Sequence, residues 1–242
     1  MAEGGGEEAE AEAEAEERLR AEAGLELRAP VREEQFAAVI AHLRHNFFAD
    51  EPLNRAVALC APGQPHAELE AHALATLRDG LSCVALHGAT GQVAGVALNG
   101  VTRPGDVARA RAALDALADT KFRRIFSLLY GANLQLDLFG AHGVDRVFEC
   151  RILSVDRRWR GKGLACALLR RSEAIARQHG FKVLKEDATG LFSQRVAERC
   201  GLRAVAQVRY VDAAARDEAS GHAPILPPRP HDCLKVMVKI LH

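Results

Sequence analysis

The chain has 242 residues, enough to bury an ordinary core, and is 48% hydrophobic and 26% charged, a globular composition. Its 32 Lys and Arg balance 32 Asp and Glu, which leaves no net basic field to hold nucleic acid. No apolar run approaches the roughly 18 residues of a bilayer span, and the acidic, Gly-rich start is unlike a signal peptide, so the expectation is a cytoplasmic protein without a membrane or nucleic-acid partner.

Residues 1–24 form a Glu-Ala tract with no apolar stripe, read as a disordered, solvated tail. Residues 25–242 are read as one folded domain. LELRAP, 25–30, is a short predicted strand. Phe36, Val39, Ile40, Leu43 and Phe47 then fall at helical spacing. ADEPLN, 49–54, ends that helix, because the residue before Pro52 disfavours helical geometry. A second helix over 67–80 stops at Gly80. Strands follow at 82–88 and 92–101, joined by a turn at 89–91.

Helices are expected over about 107–118 and about 121–139, and VFECRILSV, 147–155, is a central strand. An amphipathic helix over 163–180 closes at Gly180. A strand at 181–187, a helix at 191–201, a strand at 203–211, a Pro-rich loop at 222–230 and a last strand at 233–241 complete the chain. The order indicates an α/β fold with a mixed sheet. The six cysteines are scattered without a C-x-x-C pair and read as reduced thiols, with neither a disulfide framework nor a metal site.

The most specific segment is ILSVDRRWRGKGLACALL. A β-branched strand ends at Val155, a basic turn follows, and a helix starts near Gly163. Such a turn aims backbone N–H groups at one point, at the positive end of the helix dipole. Gly161 and Gly163 let an anion approach, and Arg157, Arg158, Arg160 and Lys162 add positive charge. The arrangement suits a pyrophosphate.

Arg160 to Ala165 resembles the R/Q-x-x-G-x-G/A signature of the GNAT superfamily of N-acetyltransferases. The resemblance implies the GNAT acyltransferase fold, a mixed central sheet with splayed fourth and fifth strands flanked by helices, and acetyl-CoA as acyl donor. It implies Leu153, Val155, Arg160, Gly161, Lys162, Gly163, Leu164 and Ala165 as cofactor-binding residues. NFFADEPLN and DATGLFSQR are similar to two stretches of the insect-type arylalkylamine (dopamine) N-acetyltransferases. By that likeness Glu51 is the general base for a small-molecule amine. Phe47 and Phe48 line its pocket, and Thr189 and Ser193 serve the leaving thiolate. The tyrosine general acid of many family members is absent, Ala197 standing near its place. Direct transfer in a ternary complex to a dopamine-, serotonin- or tryptamine-like amine is expected. Polyamine, amino-acid or longer-chain acyl transfer, and non-catalytic acyl-CoA binding, are the alternatives.

Overall fold

The computed structural model of the chain describes residues 4–219 and 221–242. Apolar and β-branched segments form seven strands: β1 (Leu25–Arg28), β2 (Cys83–His87), β3 (Val93–Thr102), β4 (Val147–Val155), β5 (Val183–Ala188), β6 (Arg203–Arg209) and β7 (Cys233–Ile240). They make one sheet in the order β1-β2-β3-β4-β5-β7-β6, antiparallel throughout except between β4 and β5. That parallel pairing covers only Phe148↔Leu184, Glu149↔Lys185 and Cys150↔Glu186, although β4 continues to Val155 on its other edge, against β3. Beyond Cys150 the two strands part, as the expected splay requires.

Each face of the sheet carries its own core. One core joins Val39, Leu43, Phe48 and Leu53 to Val96, Leu98, Ile125 and Val236, beneath helices α2 (Phe36–Asn46), α4 (Ala67–Arg78) and α6 (Thr120–Leu134). The other joins Phe148, Cys150, Leu184 and Met237 to Leu164, Leu168 and Ala197, from helices α8 (Leu164–Gln178) and α9 (Leu191–Arg199). A single strand residue therefore chooses its face by parity: Lys185 and Asp187 turn one way, Leu184 and Glu186 the other.

The expected elements are present, with four corrections. Where a disordered tail is expected, the structure has helix α1 (Gly4–Ala23). One buried leucine, Leu19, replaces the missing stripe by packing into the α8 core, and Glu16 faces Arg171 at 3.9 Å. The helix expected over about 107–118 is α5 (Asp106–Ala113), tightened into a 3-10 turn as Leu114 buries. The one over about 121–139 is two helices, because Asp137 accepts from the Gly140 N–H and starts α7 (Leu138–His142) afresh. The strand expected to end at 211 stops at Arg209. Tyr210 instead opens helix α10 (Tyr210–Ala219), its ring buried and the next residues Ala-rich. Among the described residues no helix is long and apolar enough to cross a membrane.

Candidate active site

The break after α2 places the first site residue. Pro52 sits where a helix start tolerates its missing N–H, and Glu51 caps the short helix α3 (Pro52–Ala56), Oε2 accepting from the Asn54 N–H at 2.7 Å. Its other oxygen, Oε1, accepts from Thr189 Oγ1 at 2.6 Å. Residues 138 positions apart are thus joined across the mouth of the splay. Burial raises the Glu51 pKa, opposed by the bonds from Thr189 and from the Asn54 and Leu53 backbone.

Thr189 is itself held from behind, its carbonyl accepting from the buried Tyr210 hydroxyl at 2.6 Å. Ser193, one turn into α9, faces the same cavity and donates to the Gly190 carbonyl at 2.9 Å. The N-terminus of α9 is closed by His231, whose Nδ1 accepts from the Leu191 N–H at 3.1 Å.

The cavity that Glu51 lines has a volume of about 340 Å³. Phe47, Ile125, Phe126 and Tyr130 form an aromatic and aliphatic wall, and the opening reaches Leu153 on β4 and Glu186 on β5. Phe47 lines this cavity. Phe48 does not: its ring is fully buried in the core, edge-on to Phe47 at 6.5 Å, and supports the wall from behind. Sequence reasoning misses the wall from α6, the half-buried His72 and the carboxylates Glu149 and Asp187. Nothing in local spacing marks residues contributed by separate elements.

Glu149 and Asp187 are neutralised in place. Lys185 bridges both, Arg151 reaches Glu149 at 3.3 Å, Thr102 donates to it at 2.7 Å, and Asn133 donates to Asp187 at 2.7 Å. Against the burial of Glu149, the charges of Lys185 and Arg151 hold its carboxyl well below the usual range.

On the other side of the opening lies the glycine turn. Gly161 (φ 78°) and Gly163 (φ 84°) are both left-handed, which L side chains rarely adopt, and Gly163 is the N-cap of α8. A Cβ on Gly161 would meet nothing within 4 Å, so the turn faces open space there, while one on Gly163 would meet the Arg18 guanidinium at 3.2 Å. Lys162 is exposed there, and Leu164, buried in the core, offers the ligand only its backbone. Arg157 and Arg160 turn away to Asp50, at 2.5 and 3.1 Å, and Arg160 also donates to the Val155 carbonyl at 3.0 Å. Burial would raise the Asp50 pKa, but its bonds to the two arginines hold it down. Asp50 thus ties the glutamate loop to the glycine turn. The glycine turn, the strand opening and the half-buried Glu51 thus lie around the separation of β4 and β5.

That combination is accounted for by family. The chain belongs to the acetyltransferase (GNAT) family, which it matches over residues 53–202. Within it, the chain is an acetyl-CoA-dependent N-acetyltransferase similar to insect arylalkylamine N-acetyltransferases. Arylalkylamine N-acetyltransferase 2 from Aedes aegypti is 44% identical, with 90% of this chain and 99% of that one covered at a TM-score of 0.85. A Drosophila melanogaster polyamine N-acetyltransferase that forms N-acetylagmatine is 25% identical, covering 90% of this chain and 100% of its own, at 0.78. A mosquito arylalkylamine N-acetyltransferase-like 5b, 24% identical over 90% and 100% of the two chains at 0.79, shares the fold.

Proposed function

We propose that this enzyme acetylates the primary amine of an arylalkylamine of the dopamine, serotonin or tryptamine class, by direct attack within a ternary complex. The observation that carries the reading is Glu51: a half-buried carboxylate with a raised pKa, facing an aromatic-walled cavity beside the strand opening. Glu51 takes a proton from the ammonium. Thr189 and the α3 N-terminus fix its orientation and keep the charged form accessible. Phe47, Phe126 and Tyr130 receive the aryl ring. Gly161, Lys162, Gly163 and the backbone of Leu164 and Ala165 hold the pyrophosphate of acetyl-CoA. Released from Asp50, Arg160 adds charge at the same turn. Leu153 and Val155 flank the pantetheine arm in the splay, and free backbone N–H groups there steady the carbonyl oxygen.

An aryl substrate is favoured over a polyamine by the same wall. A second ammonium would need an ionised, unpaired carboxylate deep in the pocket; Glu149 and Asp187 are already matched by Lys185 and Arg151, and burial holds Glu186 in its neutral form.

A thiol-release assay with acetyl-CoA against arylalkylamines, polyamines and amino acids tests the reading. Turnover highest with tryptamine or dopamine is expected. Turnover confined to agmatine or spermidine would overturn the substrate class, and turnover only with longer acyl-CoA donors would overturn the acetyl group.

A further inference from the structure

Cleaving a thioester also needs a partner for the departing sulfur, and the hydroxyls around Glu51 are engaged. Thr189 donates to Glu51, Ser193 to the Gly190 carbonyl, and Tyr210 to the Thr189 carbonyl. Ala197 has no proton to give. Tyr130 belongs to the aromatic wall on the α6 side, where the amine enters.

The opposite end of the cavity holds Glu186. Its register partner, Cys150, is the last pair before β4 and β5 separate, so Glu186 stands at the vertex of the wedge. By strand parity it faces α8 and α9, the side of the sheet that carries the glycine turn, while Glu51 guards the other. Between Val155 and Cys150 β4 spans about 17 Å, a length suited to an extended pantetheine arm running from the turn to the vertex. Glu186 is 4% exposed, and its Oε2 has no hydrogen-bond partner among the described residues. The titratable groups around it are Cys150 on β4, Cys200 at the end of α9, and its strand neighbours Lys185 and Asp187. Lys185 points to the other face, into its pairing with Glu149 and Asp187. Burial, reinforced by Asp187 and opposed by Lys185, lifts the Glu186 pKa to about 8.

We propose that Glu186 is the general acid of the reaction, delivering its proton to the sulfur of coenzyme A as the thioester breaks. The inference rests on acyl transfer to an amine as set out above. Glu51 takes the first proton of the ammonium, and the nitrogen bonds to the carbonyl carbon. The C–S bond breaks, its electron pair goes to sulfur, and sulfur takes the Glu186 proton to give the free thiol. The nitrogen sheds its second proton to water as the amide forms. Water reprotonates Glu186, and Glu51 returns its proton to solvent, so one proton is released per turnover. Two carboxyls with opposite surroundings thus divide base and acid work across one carbonyl.

The test is Glu186→Gln, which keeps the shape and removes the transferable proton. We expect kcat to fall about 10²-fold or more while both KM values and the affinity for coenzyme A stay within about twofold. Wild-type kcat should decline as pH rises through about 8, and this limb should vanish in E186Q, return in part in Glu186→Asp, and persist in Ser193→Ala. In the ligand-free protein, the thermal midpoint should fall between about pH 6.5 and 8.5 in the wild type but stay level in E186Q. Unchanged kcat in E186Q, or loss of the limb in S193A instead, overturns the proposal. If E186Q does not fold, a wild-type kcat without a basic limb overturns it equally. A wild type that acetylates no amine defeats the underlying reading. A wild type that acetylates amines alongside an unaffected E186Q defeats only this one.

Discussion

Glu51 illustrates how one side chain serves both folding and chemistry. Its Oε2 caps α3 while Oε1 meets Thr189, yet the carboxylate is held where burial disfavours its charge. Glu51→Gln keeps one acceptor oxygen for the Asn54 N–H, turns an amide N–H toward the Thr189 hydroxyl oxygen, and discards the charge. Turnover should drop about 10²- to 10⁴-fold, while coenzyme A affinity by calorimetry is unchanged and the thermal midpoint at about pH 8 is equal or higher. A lower midpoint together with lost coenzyme A binding would show that Glu51 acts through the fold. Tyr210 offers a complementary case, touching the site only through the Thr189 carbonyl. Tyr210→Phe should lower kcat several-fold with little change in KM, the mark of a positioning residue.

At the scale of elements, the glycine turn makes a strong demand on its sequence. Gly161→Val would place a β-branched residue at φ 78° with open space around it. It should destabilise by about 1–2 kcal/mol and raise the KM for acetyl-CoA far more than that for the amine, a split that steady-state kinetics would read directly. This turn is legible in the sequence alone, because strand, glycines, basic residues and helix follow one another in the chain. The Glu51 loop is legible only by likeness, since a carboxylate before a proline has no local signature of burial. The α6 wall and the Lys185 bridge are not legible: their members come from β4, β5, α4 and α6 and meet only when the sheet forms. The Ala-rich stretch after Arg209 misleads for a related reason. The strand pattern of RAVAQVRYV continues smoothly through Tyr210, whereas in the fold that ring is buried, its hydroxyl bonded to the Thr189 carbonyl, and the chain turns into α10.

For the whole molecule, three titratable groups, the buried His42 and Glu186 and the half-buried His72, set opposing slopes of stability with pH. His42 and His72 both have pKa values lowered by burial to about 4. Between about pH 6.5 and 4 the unfolded chain binds protons that the folded one refuses, so stability falls as pH falls, by at most about 3 kcal/mol for each histidine. Glu186 acts in the other direction. The folded chain keeps its proton up to about pH 8 while the unfolded chain releases it near 4.5, so stability falls as pH rises. The thermal midpoint should therefore peak near about pH 6.5. His72, edge-on to Phe126 at 5.6 Å, makes no side-chain hydrogen bond among the described residues, so His72→Phe should roughly halve the acid-side loss. An unchanged acid limb would place the titration elsewhere.

The strand order has a temporal meaning as well. β7 lies between β5 and β6, paired antiparallel to both, although it is the last strand in the chain. While a ribosome is still making residues 233–240, β5 has an open edge beside the vertex of the wedge, and β6 has no partner at all. The catalytic half of the sheet therefore cannot close until β7 is available, after the strands it joins have already been synthesised.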